Sequence, residues 1–139
     1  MTHSSARFLV EIDGLTTSTF AEVCGLEAEI QVIEYREGGD KSGHVTKIAG
    51  LNKYTNITLK RGVTGDLGLW NWYKSVRDGN HDGRDMSIIL LDEQMKPVMR
   101  WNVRNAFPVK YEGPSFCATG NEVAIETLVL THDGFEVSA

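Results

Sequence analysis

Residues 33–62 read IEYREGGDKSGHVTKIAGLNKYTNITLKRG, and the fold turns on them. Two stretches with strand character flank about a dozen polar, glycine-rich residues. Ordering each residue costs about 1–2 kcal/mol of backbone entropy, and this centre offers few apolar side chains in return. So long a polar excursion gains little in an isolated domain. It makes sense as an arm that becomes ordered against another subunit, which points to assembly rather than catalysis.

The chain leading into the arm alternates. Leu26, Ala28, Ile30 and Val32 share one face, and Glu27, Glu29 and Gln31 the other. The phase then flips, with Ile33 and Tyr35 apolar and Glu34 and Arg36 polar. A period of two can change phase only where a strand bulges, bends or changes neighbours. A long bent strand leaving the body of the domain is expected here. On the far side, residues 53–61 read as one return strand, with Thr55, Ile57 and Leu59 on one face and Asn56, Thr58 and Lys60 on the other.

Further out, residues 7–13 form a half-buried strand by the same alternation, and Gly14 to Thr19 a turn. Asp66 is placed to cap a helix over residues 67–77. Its Leu69, Trp72, Tyr73 and Val76 make an apolar stripe, Trp70 lies off its centre, and Gly79 suits the position beyond its end. Residues 86–91 are apolar on both faces apart from Ser87 and read as a central strand. Residues 98–109 follow with Met99, Trp101, Val103 and Phe107 inward and Arg100, Asn102 and Arg104 outward. A loop spans 111–121, and 122–131 is the last strand. Six or more strands and one helix with hairpin-like connections give a mainly β, α+β class: an antiparallel barrel or sandwich with a helix packed on it.

The bulk properties fit one domain over residues 1–139. With 41% hydrophobic residues, a core forms without disulfide or metal staples. A net charge of −5 weighs against a nucleic-acid partner, which needs a basic face. Cys24 and Cys117 read as small semi-buried thiols, with one bridge left open. Neither a signal-peptide run nor a transmembrane segment is evident, so a cytoplasmic origin is expected.

Chemical signals are weak. His3, His44, His81 and His132 lack metal-ligand spacing and read as solvated surface residues. HDGRD at 81–85 has two acids and a histidine but not the ligand spacing of a calcium loop. GGDKSG at 38–43 resembles part of a phosphate loop, yet its first glycine falls on Glu34 and no helix follows. Asn56, Ile57 and Thr58 match a glycosylation acceptor but sit in a strand. No nucleophile has a nearby base. Trp70, Trp72 and Trp101 leave a second function class open, a small-molecule or glycan-binding β-barrel module. Periodicity puts Trp72 and Trp101 in the core and leaves Trp70 as either a core edge or an interface anchor. A small hydrolase is a third reading, disfavoured by the missing base and nucleophile.

In order along the chain stand FLVEIDGL, FAEVCGLEAEI, IEYREGG, KYTNITLKRG, LWNWY, WNVRNAFPVKYEGP and NEVAIETLVL. This ordered set resembles the tail tube proteins of contractile-tailed phages and phage-tail-like injection particles, relatives of the type VI secretion tube protein. The resemblance runs from about residue 8 to 134. It implies two antiparallel sheets forming a barrel flanked by a helix, and hexameric rings stacked into a hollow tube inside a sheath. It implies no enzymatic activity, cofactor, metal or membrane insertion. The implied partners are the chain itself, a sheath protein, baseplate or spike and terminator proteins, and cargo in the lumen. Assembly is expected in the bacterial cytoplasm, and residence inside a phage tail or a related, extracellularly released particle.

The resemblance also assigns residues. Glu37, Gly38, Gly39, Asp40, Lys41, Ser42, Gly43, His44, Val45, Thr46 and Lys47 fall in the hairpin arm that reaches a neighbouring ring. The strands around 26–36 and 53–61 resemble those joining across subunits into an inner barrel. A water-facing wall of such a barrel would take Glu27, Glu29, Gln31, Asn56, Thr58 and Lys60.

Overall fold

The computed structural model describes residues 7–15, 18–20, 22–36, 38, 43–115 and 124–139. In chain order the elements are β1 (Arg7–Ile12), β2 (Ser18–Phe20), β3 (Glu22–Cys24), β4 (Ala28–Tyr35), β5 (Thr46–Tyr54) and β6 (Ile57–Gly62). Then come α1 (Gly68–Arg77), β7 (Arg84–Leu91), β8 (Pro97–Glu112), β9 (Ile125–Thr131) and β10 (Gly134–Ser138). The class is mainly β with antiparallel pairing throughout and, among the described residues, one helix.

An eight-stranded sheet runs β2-β1-β7-β8-β9-β6-β3, with β10 paired to β8 off that path. The spine is β8, whose 16 residues serve two neighbourhoods. Its first half lies between β7 and β10, and its second half pairs with β9. Asn105, at φ 50°, turns the corner between the halves. That left-handed residue also shifts the side-chain phase. Val103 is buried as expected, but beyond the corner the buried residues are Ala106 and Pro108. Phe107, expected inward, is only half-buried, and Met99, also expected inward, is exposed.

The core gathers Val10, Ile12, Phe20, Ile57, Leu59, Ile88, Leu128 and Leu130 from the sheet, with Leu69 and Trp72 from α1. Each such large side chain contributes about 1.5–3 kcal/mol by leaving water. Tyr73 and Val76 complete the expected helix stripe as partly buried neighbours. Trp72 donates from Nε1 to the Asp82 carbonyl at 2.7 Å. The helix starts one residue later than expected. Asp66 Oδ1 accepts from the Gly68 N–H at 3.0 Å, but Leu67 holds the cap position. At the other end Gly79 (φ 96°) donates to Val76 O and Asn80 to Ser75 O, the paired bonds that close a helix on a left-handed residue.

Other expectations shift. The return strand over 53–61 is two strands broken at Thr55 and Asn56, belonging to different sheets. Ser18 and Thr19, expected in a turn, belong to β2 and pair with β1. Leu26 precedes β4 and packs against the core instead of joining the strand's alternation. The last strand is β10, which sequence reading does not separate from its surroundings. The loop around 116–123 lies outside the described residues, as does Cys117, so a bridge to it lies there too. Cys24, expected semi-buried, is exposed. Among the described residues no helix is long and apolar enough to cross a membrane.

Candidate assembly interface

β4 and β5 form a two-stranded sheet of their own, paired from Ala28↔Tyr54 to Tyr35↔Thr46. Every residue of β4 is exposed. The arm is therefore more structured and more apolar than a polar loop. Ile30 is 56% exposed, Val32 57%, Ile33 50%, Tyr35 50%, Ile48 47% and Leu51 71%. A lone two-stranded ribbon is marginally stable in water. Large apolar side chains left exposed in this number mark a protein interaction surface.

The expected phase flip coincides with a bulge in the partner strand. The register shifts between Ile30↔Asn52 and Val32↔Ala49, so Gly50 and Leu51 together oppose Gln31. A Cβ on Gly50 would lie 2.9 Å from Gln31 O and 3.0 Å from the Ile33 side chain, so the bulge needs glycine. On the stem side of the bulge one face is apolar through Ala28, Ile30 and Val32. Towards the tip the opposite face is apolar through Ile33, Tyr35 and Ile48, where Ile33 pairs directly with Ile48. Opposite charges face each other across the ribbon at Glu29↔Lys53 and Glu34↔Lys47, which fixes its register at modest strength.

Of the residues assigned to the arm, Thr46 and Lys47 begin β5, and Gly43 (φ 72°), His44 and Val45 lead into it. Gly38 is exposed. Glu37, Gly39, Asp40, Lys41 and Ser42 lie outside the described residues. The polar set assigned to a water-facing wall is split. Glu29 and Gln31 are on the ribbon, Glu27 precedes it, and Asn56 sits in the link between the two sheets. Thr58 and Lys60 lie on the polar face of β6, opposite the buried Ile57 and Leu59. There Lys60 approaches Glu22 at 3.8 Å and pairs with it across β3, while Thr58 pairs with Cys24. The Cys24 thiol, 3.2 Å from Glu22 Oε1, is pushed above its ordinary pKa by that hydrogen bond. On the same sheet Lys110 Nζ sits 2.7 Å from Glu112 and holds its carboxyl below the usual range.

The tryptophans do not form a platform. Trp72 is buried, Trp101 is partly buried against the core, and Trp70 stacks on Tyr73 at 5.6 Å and meets Tyr111 edge-on at 5.3 Å. Asp82, the acid of HDGRD nearest a cation-loop role, is engaged by Arg84 at 2.9 Å and 3.1 Å. Among the described residues no cluster of His, Cys, Asp and Glu could hold a metal ion. His132, expected to be a solvated surface residue, is half-buried and engaged on both ring nitrogens. Its Nε2 lies 2.8 Å from Thr55 O at the stem of the arm. Nothing in its sequence neighbourhood signals this.

The family model for the T4-like virus tail tube protein gp19 matches residues 4–136. The chain belongs to this tail tube family. Among solved structures it is similar to a chain of the sheath–tube complex of an extracellular contractile injection system, PVC, in the extended state. That chain is 36% identical over 96% of this chain and 88% of its own, with a TM-score of 0.83. A chain of the tube-terminating cap of the anti-feeding prophage is 33% identical over 95% and 87%, at 0.82. Hcp1 from Flavobacterium johnsoniae, at 15% identity, 94% coverage of both chains and 0.58, shares the fold. No curated protein matches the chain in sequence. The chain is a tail tube subunit of the contractile injection type.

Proposed function

We propose that residues 1–139 form one tail tube domain that closes into hexameric rings, and that the rings stack into the hollow inner tube of a contractile particle. The observation that carries this is the two-stranded arm, whose apolar side chains lie exposed on both faces among the described residues. The stem face with Ile30 and Val32 packs on a neighbour within the ring. The tip face with Ile33, Tyr35 and Ile48, and the residues from Glu37 to Lys47, engage the adjacent ring. Closure and stacking also remove the free strand edges that would otherwise aggregate.

The subunit works by burial and geometry rather than by chemistry, and it is not an enzyme. Thr58 and Lys60 with Glu22 and Glu112 supply a hydrated, mixed-charge wall to the lumen, with Glu27, Glu29, Gln31 and Asn56 at its margin. Six-fold repetition multiplies each charge, and neighbouring opposite charges limit the resulting field. Such a channel passes cargo without one tight ligand site. Relatives come from a sheath–tube complex, a tube-terminating cap and a baseplate. This supports sheath, terminator and baseplate or spike proteins as partners here, with assembly in the bacterial cytoplasm before the particle is released. Trp70 is a further contact at the ring boundary.

Negative-stain microscopy of the concentrated, purified chain tests the proposal. Rings and tubes with six-fold end views are expected. Monomers under all conditions would overturn it, and saturable glycan binding by such monomers would favour the binding-module reading.

A further inference from the structure

The arm meets the body at two crossing points, residues 25–27 on the way out and Thr55 and Asn56 on the way back. The legs are tied to each other there, because Thr55 Oγ1 donates to Gly25 O at 3.0 Å. Gly25 (φ 91°) lets them cross, since a Cβ on it would lie 2.0 Å from Asn56 O. The contacts that set the direction of the tied stem relative to the eight-stranded sheet converge on the turn between β9 and β10. His132 Nδ1 accepts from the Gly134 N–H at 3.0 Å. A neutral ring accepting at Nδ1 carries its proton on Nε2, and that N–H donates to Thr55 O at 2.8 Å. The tautomer follows from the geometry: one ring atom is held by the start of β10 and the other holds the stem.

Aromatic packing reinforces the bracket. Tyr54, the last residue of β5, meets Phe135 edge-on at 5.1 Å and His132 at 5.7 Å. Gly134 (φ 133°) leaves room for this, as a Cβ on it would stand 2.9 Å from the Tyr54 ring. Phe135 is itself part of the core, so the stem is referenced to the hydrophobic core of the domain.

The geometry assigns His132 as the positioning residue of the arm: it fixes the angle at which the ribbon leaves the eight-stranded sheet and so aims its apolar faces at neighbouring copies of the chain. The inference rests on the proposed tube function for its consequence, but not for the angle itself. Fixing that angle in the monomer lowers the ordering cost of docking, which is the general benefit of preorganisation.

Two substitutions separate the two hydrogen bonds. His132→Gln places an amide N–H where Nε2 stood, keeping the donor to Thr55 O. His132→Asn places an amide oxygen where Nδ1 stood, keeping the acceptor for Gly134 and losing the tie to the stem. Neither side chain titrates. The full chain with Cys24 and Cys117 replaced by alanine carries spin labels at Lys47 on the arm and Asn71 on the helix, and the distance distribution is read in the dilute monomer. His132→Gln is expected to keep the parent width. His132→Asn is expected to broaden it at least twofold and to raise the critical concentration for tube assembly at least tenfold. Tyr54→Ala, which removes the aromatic half of the bracket, gives the same broadening if His132→Asn does not fold. Parent-like widths in His132→Asn and Tyr54→Ala, or equal broadening in the Gln and Asn variants, would overturn the assignment. Failure of the parent chain to form tubes would instead count against the proposed function, because the distance measurement needs no tube.

Discussion

Arg61 Nε donates to Glu126 Oε1 at 2.7 Å, with the two side chains 6% and 7% exposed. They are direct partners across β6 and β9, 65 residues apart in sequence. Tyr111 donates its hydroxyl to the other Glu126 oxygen at 2.9 Å, and the Arg61 guanidinium lies 5.4 Å above the Phe20 ring. This pair ties three strands beside the start of the helix, where Asp66 approaches Arg61 at 3.9 Å. Removing one member strands a buried charge, which costs about 3–5 kcal/mol, whereas replacing both by apolar groups of similar volume is often neutral. Glu126→Ala or Arg61→Ala should therefore lose about 3–5 kcal/mol in urea unfolding, and Arg61→Met with Glu126→Leu should recover most of it. A single substitution costing under about 1 kcal/mol would contradict this reading.

Burial and the Glu126 hydrogen bond also push the Tyr111 hydroxyl above its ordinary pKa. The raised value means the folded state favours the neutral phenol. Its contribution is complete below the ordinary tyrosine range and is lost as pH rises through the folded value. Alkaline unfolding of the chain should thus be less steep in Tyr111→Phe than in the parent. Identical alkaline limbs would remove Tyr111 from the account.

On the acid side the corresponding group is Asp82. Hydrogen bonds from Arg84 hold its carboxyl below the usual range, and the same arginine lies over the Trp72 ring at 5.3 Å. A lowered folded value stabilises above the ordinary aspartate range, and the benefit disappears as pH falls through the folded value. Asp82→Asn should cost about 1 kcal/mol near neutrality and nothing below the folded value. A cost that stays constant to the acid limit would mean the loss is steric.

The arm should be dispensable for folding and required for assembly. Its side chains are exposed, so Ile33→Ser with Ile48→Ser should change stability by no more than about 0.5 kcal/mol per site. Tubes should nevertheless fail to form in sedimentation at concentrations where the parent assembles. Normal assembly of the double variant would contradict the docking role of the tip face.

Parts of this architecture were legible in the residues and parts were not. Strand β7 declares itself because Met86 to Leu91 is apolar on both faces, and the helix stripe through Leu69 and Trp72 fixes its buried side. The phase flip at Ile33 marks the arm bulge, although the extra residue lies on β5, opposite Gln31. Alternation says which face is apolar but not what covers it, so the exposure of β4 was hidden. The break at Thr55 and Asn56 was hidden too, because Thr55, Ile57 and Leu59 keep their period through it. Asn105 shifts the β8 phase by a single backbone angle that no side-chain pattern encodes. His132 acts through one carbonyl and one amide of distant or neighbouring backbone, and main-chain partners leave no trace in composition.

In the assembled tube the exposed apolar faces of the arm are expected to be covered by other copies of the chain. The measurement that bears on it most directly is a cryo-electron microscopy map of the assembled tube at side-chain resolution. Ile30, Val32, Ile33, Tyr35, Ile48 and Leu51 should each lose most of their exposure against neighbouring subunits, with the stem face inside the ring and the tip face on the adjacent ring. Tubes in which these side chains remain in water, or face the lumen, would contradict it.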